Sequence, residues 1–77
     1  MRRISLVHAK ADKRYKVAEI SAGANLKNKL MHMGIFTGKE VAKLSHIGLR
    51  GPIVVKVGRG ILALGHGVAE KIMVETE

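Results

Sequence analysis

The chain has 77 residues, no cysteine and a formal net charge of +8. A chain this short buries only about 60–65% of its unfolded surface, which leaves room for one small domain over residues 1–77 and excludes the repeated βαβ units of a large nucleotide-binding fold. The missing cysteine excludes a disulfide framework, a thiolate metal site and a cysteine nucleophile.

The N-terminus carries two arginines, as a signal peptide does, but His8 and Lys10 interrupt the apolar stretch that follows. A signal peptide needs about 7–15 consecutive apolar residues, and a membrane helix needs about 20. We therefore expect a soluble cytoplasmic protein without membrane insertion. Eight of the fourteen Lys and Arg residues fall within residues 1–38, which favours an acidic protein, nucleic acid or anionic lipid as partner without choosing among them.

The first part of the chain predicts two strands. Residues 4–7 are consistent with a short edge strand, and residues 8–14 read as an exposed loop. Residues 15–22 form the first clear strand pattern, because β-forming side chains alternate there with polar ones.

Residues 25–33 change to a helical period and predict a short helix. Its apolar stripe consists of Leu26, Leu30 and Met33. Asn25 is placed to cap the helix N-terminus, and Gly34 to cap its C-terminus in a left-handed conformation. In this arrangement Met33 belongs to the core and Met31 to the surface.

The remainder predicts short strands joined by turns. A turn over 36–40 places Gly38 at a positive φ. The strand over 40–47 alternates, so that Lys43 lies on one face and His46 on the other. The other predicted segments are a loop at 48–52, a strand at 53–57, a hairpin turn at 58–60, a strand at 61–64, one irregular or helical turn at 65–71 and a strand at 72–75. Five to six short strands with one short helix (about residues 25–33) indicate a mainly β fold, a small barrel.

The segment after the fourth predicted strand resembles a dinucleotide-binding fingerprint. Gly58, Gly60 and Ala63 match G-x-G-x-x-G/A. A crossover helix at this point would contain Gly65 and Gly67, each costing about 1 kcal/mol relative to alanine. Only 17 residues follow Gly60, too few for the rest of a βαβ unit of about 30 residues. We therefore interpret the glycines as a hairpin turn and expect no cofactor.

Catalytic and metal-binding patterns are weak. No nucleophile, base and orienting group occur together, so we do not expect an enzyme. The four histidines show no paired metal-ligand spacing, and we expect no metal site. A direct metal carrier or sensor remains as an alternative, with histidines from different elements as its ligands, for example His32 and His46, within one chain or across a homodimer.

A basic barrel that binds nucleic acid is the other alternative. Such surfaces combine basic residues with aromatic platforms for base stacking. This chain offers only Tyr15 and Phe36, and Phe36 is as consistent with a plug of the barrel. Its basic residues are expected as single, solvent-facing positions, so we do not expect nucleic acid as the partner.

From the predicted helix onward, the chain resembles the ferrous iron transport protein A (FeoA) family. The resemblance spans roughly residues 15–76. It rests on Leu30, Gly34 and Ile35 at the helix exit, Gly38, Gly51-Pro52, Gly58 or Gly60, Ala63-Leu64, Ala69, Ile72 and Val74. This chain departs from the family pattern at two places. It has Thr37 where the family often has proline, and its first loop lacks the glycine that the family commonly has there.

The resemblance implies an SH3-like barrel that serves as a non-enzymatic cytoplasmic accessory protein of bacterial ferrous iron uptake. Its implied partner is the membrane permease FeoB, contacted through that protein's cytoplasmic GTPase-containing region. Two surfaces are candidates for this contact. They are the basic segment Lys13, Arg14 and Lys16, and the helix face Lys27, Asn28, Met31 and His32. An exposed edge strand could also pair with a second copy of the chain.

Overall fold

The computed structural model describes residues 2–76, and within them the fold is mainly β, as predicted. Six strands form one antiparallel sheet, and two short helices connect parts of it. The strands are β1 (Arg2–Ser5), β2 (Lys13–Ile20), β3 (Glu40–His46), β4 (Ile53–Val57), β5 (Gly60–Leu64) and β6 (Ile72–Thr76). The helices are α1 (Ala24–His32), between β2 and β3, and α2 (His66–Glu70), between β5 and β6.

The strand order is β1-β6-β2-β3-β4-β5, so the last strand lies between the first two. The edges of the sheet are β1, as predicted for the N-terminal strand, and β5. One β-bulge lies in β2 between Val17 and Glu19, and a second lies in β3 between Lys43 and Ser45. A bulge adds one unpaired residue and increases the local twist, which helps short strands curve around a common core.

The core is built from the inward side chains of the sheet, from α1 and from the β1–β2 loop. Leu6, Val7 and Ala9 of that loop are buried. The prediction of an exposed loop is therefore wrong at Ala9, because the segment folds back over the sheet. The other buried apolar residues are Tyr15, Val17, Ile20, Leu30, Ile35, Val41, Ile53, Val55, Val57, Leu64, Ala69, Ile72 and Val74.

Helix α1 ends at the predicted glycine. Gly34 has φ 89°, and its N–H donates to the carbonyl of Met31 at 2.9 Å. The N–H of Ile35 donates to the carbonyl of Leu30 at 2.8 Å. These two bonds form a Schellman motif, which turns the chain so that Ile35 joins Leu30 in the core.

Two details of the predicted helix are wrong. The N-cap position is Gly23, two residues before Asn25, and no side chain caps the helix there. Met33 is 40% exposed rather than buried. It occupies the C-cap with φ −91° and ψ 1°, so the chain has already left helical geometry where the i, i+4, i+7 projection would place Met33 in the core.

The glycine-rich segment forms a hairpin turn. Val57 pairs with Gly60, which leaves a two-residue loop of Gly58 and Arg59. Gly58 has φ 60°, as the first central position of a type II′ turn requires. Arg59 is exposed at the tip. Strand β5 returns directly from this turn, one residue earlier than predicted, and ends at Leu64 before Gly65.

Candidate functional site

The bulge in β3 decides which face of the sheet carries His46. In the structure, Lys43 pairs with Val55. His46 pairs with Ile53, which lies two residues from Val55 on β4 and is likewise buried. Residues two apart on a strand share a face, so Lys43 and His46 lie on the same face. The prediction that Lys43 and His46 lie on opposite faces is wrong, because the bulge inserts Leu44 as an extra residue.

Lys43 is a buried cation, with only 2% of its surface exposed. Its Nζ donates hydrogen bonds to the backbone carbonyls of Leu6 at 2.9 Å, Val7 at 3.0 Å and Ala9 at 2.6 Å. An ammonium has three protons, and each of them has an acceptor in the β1–β2 loop. Burial lowers the pKa of Lys43, because the charged form loses hydration.

The expectation that the basic residues face solvent is therefore wrong for Lys43. Its position two residues after the β-branched Val41, on the same predicted face of the strand, is the sequence signal that could have identified it. The alternation separates the two faces of the strand and does not by itself indicate which face is buried.

His46 lies beside His66 at one end of the sheet. The two ring centroids are 6.0 Å apart, and the ring planes are inclined by 37°. Topology brings them together, because Ile53 pairs with His46 on one side and with Leu64 of β5 on the other, and His66 follows two residues after Leu64. Both His46 Nε2 and His66 Nδ1 are buried and have no hydrogen-bond partner within the described structure.

The surroundings of His46 favour its neutral form. Burial is the largest cause that lowers the pKa of His46, followed by the charges of Lys43, His66 and His8. His66 Nε2 in turn lies 3.9 Å from Glu70 Oε2, one turn along α2. We name His46 and His66 the histidine pair. The sequence reasoning missed the pair, since 20 residues separate its members.

The predicted basic segment lies at the start of β2. Lys13, Arg14 and Lys16 are all exposed. They line a shallow cleft of about 560 Å³ together with Glu40 and Glu75. Arg14 Nη1 lies 3.8 Å from Glu40 Oε1, an exposed pair of the kind that contributes at most about 1 kcal/mol. The structure thus brings the three cations together on a surface that also carries two carboxylates.

The predicted helix face is also on the surface. Lys27, Asn28, Met31 and His32 are all exposed on α1. The Nδ1 atom of His32 lies 2.8 Å from the carbonyl oxygen of Asn28, which fixes the imidazole against its own helix.

Two further apolar side chains are exposed near the end of α1. Met33 is 40% exposed and Phe36 is 42% exposed, beside Met31 at 56%. We name Met31, Met33 and Phe36 the helix-end patch, a set defined by exposure and by closeness along the chain. The exposure of Phe36 decides against its role as a plug of the barrel, and its place after the Schellman turn explains why: the inward position there is taken by Ile35.

The two histidines considered as metal ligands, His32 and His46, lie on different elements, α1 and β3. His32 lies on α1, whereas the charged neighbours that act on His46 are Lys43, His66 and His8. Over residues 2–76, no three His, Asp or Glu side chains come close enough together to hold one metal ion. In the same part of the chain, no helix has the length and apolar content to cross a membrane.

A family model and a curated relative point to the same protein family. The FeoA domain model matches residues 4–76. The "Putative Fe(2+) transport protein A" of Methanocaldococcus jannaschii is 33% identical over 70 residues, which cover 91% of this chain and 83% of that protein.

Solved structures agree over nearly the whole chain. The crystal structure of an iron uptake regulatory protein (FeoA) has a TM-score of 0.86 at 29% identity and covers 97% of both chains. The NMR structure of a FeoA-like protein from Clostridium acetobutylicum has a TM-score of 0.83 at 27% identity, and covers 97% of this chain and 87% of that chain.

Proposed function

The chain belongs to the FeoA family, and on this premise we propose that it is a non-enzymatic accessory protein of ferrous iron uptake that acts by contact with the FeoB permease. Family membership supports the role in ferrous iron uptake. The contact would be made with the cytoplasmic GTPase-containing region of the permease.

The observation that carries this proposal is the helix-end patch. Three large apolar side chains, Met31, Met33 and Phe36, are each at least 40% exposed within six residues of chain. Methionine is flexible and polarisable, and aromatic residues and methionine are enriched in protein interfaces. Lys27 and Lys29, both exposed on the same helix, would supply a charged rim, so the patch has the composition of a small protein-contact surface.

The basic cleft supports a second part of the contact. Charged rims steer association and set its salt dependence more than they set affinity. Lys13, Arg14 and Lys16 would act in this way toward an acidic partner surface. Glu40 and Glu75 in the same cleft would select against a uniformly anionic partner such as a nucleic acid backbone.

Binding of the chain to the purified GTPase-containing region of its permease tests the patch. We expect the double variant Met31→Ser, Phe36→Ser to bind at least about tenfold more weakly, as loss of an interface anchor does. Ile61→Ser is the matched control, because Ile61 is 64% exposed but lies on β5. Equal binding by the double variant and wild type would overturn the assignment of the patch.

A charge reversal tests the cleft. We expect Arg14→Glu to slow association and to reduce its dependence on salt, while Arg50→Glu, at an exposed arginine of the β3–β4 loop that does not line the cleft, has a smaller effect. If both reversals slow association equally, net charge explains the result and the cleft is not a specific surface.

The alternative of a nucleic-acid-binding barrel loses one of its two aromatic platforms. Tyr15 is 4% exposed, and its hydroxyl donates to the carbonyl of Lys10 at 2.8 Å. Only Phe36 remains available for stacking on a base. Nucleic acid affinity in the micromolar range at physiological salt, falling steeply as salt rises, would favour this alternative over the protein contact.

A further inference from the structure

We propose that His46 and His66 form a binding site for a divalent transition metal ion of the Zn²⁺ or Co²⁺ type, with two imidazole ligands from the protein and water in the other positions. The proposal uses different residues from the permease contact, and its test uses the chain alone. Either proposal can therefore fail without the other.

The first argument is the state of the two ring nitrogens. His46 Nε2 and His66 Nδ1 are buried and lack a hydrogen-bond partner within the described structure. A buried polar atom without a partner is costly, so an occupant that accepts their lone pairs would stabilise the folded chain. Neutral imidazole is the commonest protein ligand of transition metals.

The second argument is distance. Zinc lies about 2.0–2.1 Å from an imidazole nitrogen, so two imidazoles at a tetrahedral angle have ring centres about 5 Å apart. The centroids of His46 and His66 are 6.0 Å apart. An approach of about half an ångström by each ring would close this difference.

The third argument is the partner of the other His66 nitrogen. A metal-bound histidine usually directs its second ring nitrogen toward a carboxylate or a carbonyl, which fixes the ring and raises its basicity. His66 Nε2 faces Glu70 Oε2 at 3.9 Å, while the unpartnered Nδ1 is the buried atom. The carboxylate of Glu70 thus lies on the Nε2 side of the ring, about 1 Å beyond hydrogen-bond distance, and a small side-chain movement would let it accept the Nε2 proton.

The surrounding charges limit the affinity. The Lys43 ammonium acts on His46 and would repel a bound dication, whereas Glu70 offsets part of this charge from the His66 side. With two protein ligands and a nearby cation, we expect a site of micromolar rather than nanomolar affinity.

The test is titration of the full chain with ZnCl₂ and, separately, CoCl₂ at neutral pH. Calorimetry gives the affinity, and NMR of the imidazole nitrogens identifies the ligand atoms in the wild type without any substitution. We expect metal-dependent shifts at His46 Nε2 and His66 Nδ1. His46→Gln and His66→Gln should each weaken binding by at least about tenfold, and Glu70→Gln by about tenfold as loss of an orienting carboxylate does.

His32→Gln is the matched control, because His32 is an exposed histidine held against Asn28 on α1. It should bind metal as wild type does. The proposal is overturned if wild type binds neither ion below millimolar concentration, since a water that bridges the two nitrogens would then be sufficient. It is also overturned if His46→Gln binds metal as tightly as wild type. Circular dichroism establishes that each glutamine variant is folded, and the wild-type NMR result holds whether or not the variants fold.

Discussion

Lys43→Met removes a buried ammonium while nearly keeping the length of the side chain. In the wild type, the ammonium donates to the carbonyls of Leu6, Val7 and Ala9 at 2.6–3.0 Å. Methionine donates nothing, so these three carbonyls lose a charged donor, and the residues that carry them are at most 8% exposed.

The expected cost follows from two opposing effects. A buried carbonyl left unsatisfied costs about 1–3 kcal/mol, so three of them cost about 6 kcal/mol in the middle of that range. Methionine recovers part of this, because burying an ammonium itself costs several kcal/mol. We expect a net loss of about 2–3 kcal/mol, a large share of the roughly 4–12 kcal/mol available to a domain of this size.

Urea unfolding and hydrogen exchange check this prediction. The free energy of unfolding should fall by about 2–3 kcal/mol, and the amide of Ala9, which donates to Ser5, should exchange faster as the loop loosens. Lys56→Met is the matched control, since Lys56 is exposed on β4 and should change stability by less than about 0.5 kcal/mol. A Lys43→Met chain as stable as wild type would refute the reasoning, because relief of desolvation would then outweigh the three hydrogen bonds.

The structure also fixes the direction in which two glycine substitutions and a change of pH alter the stability of the chain. Gly34→Ala should cost about 1–3 kcal/mol, because alanine is strained at φ 89° and its Cβ would lie 3.3 Å from Val57 Cγ1. Gly51→Ala should cost about 3 kcal/mol or more, or open the β3–β4 loop, because its Cβ would lie 1.8 Å from the carbonyl oxygen of Ile47. Thermal unfolding measures both. The pKa of His46 is lowered from its ordinary value of 6.5, so just below pH 6.5 the unfolded chain binds a proton that the folded chain does not, and stability should rise with pH up to about 6.5 and then level off.

The controls for these three changes have a different expected outcome. Gly67→Ala lies within α2, where an added Cβ meets nothing within 4 Å, and it should stabilise the chain by about 0.5–1 kcal/mol. Destabilisation by Gly67→Ala would contradict the steric reading of the other two glycines. In urea unfolding between about pH 5 and pH 8, His46→Gln should flatten the acid slope, and an unchanged slope would show that another group causes it.

The alternative of nucleic acid binding, which depended on aromatic and basic residue types, shows how a sequence pattern can mislead. Tyr15 fits a base platform by residue type, but its position on an inward register of β2 buries it. Lys43 fits a solvated cation by residue type, but the same inward register on β3 buries it too. Residue type gives the chemistry of a side chain, and only its register gives its surroundings.

The sequence by itself determined the order of the elements, the hairpin at Gly58, the helix end at Gly34 and the resemblance to the FeoA family. These features depend on local periodicity and on glycines with a positive φ, which act within a few neighbouring residues. The two candidate contact surfaces followed from the same local patterns, because a solvent-facing residue needs no distant partner.

Only the tertiary structure decided the position of the histidine pair and the burial of Lys43. One extra residue in β3 reverses the faces of the strand, so that His46 joins Lys43 on the core side, and strand order then brings His66 to His46. The β1–β2 loop supplies three carbonyls to Lys43 from more than 30 residues away. Such long-range meetings depend on how strands pair across the sheet, and strand pairing is not encoded in the period of any one segment.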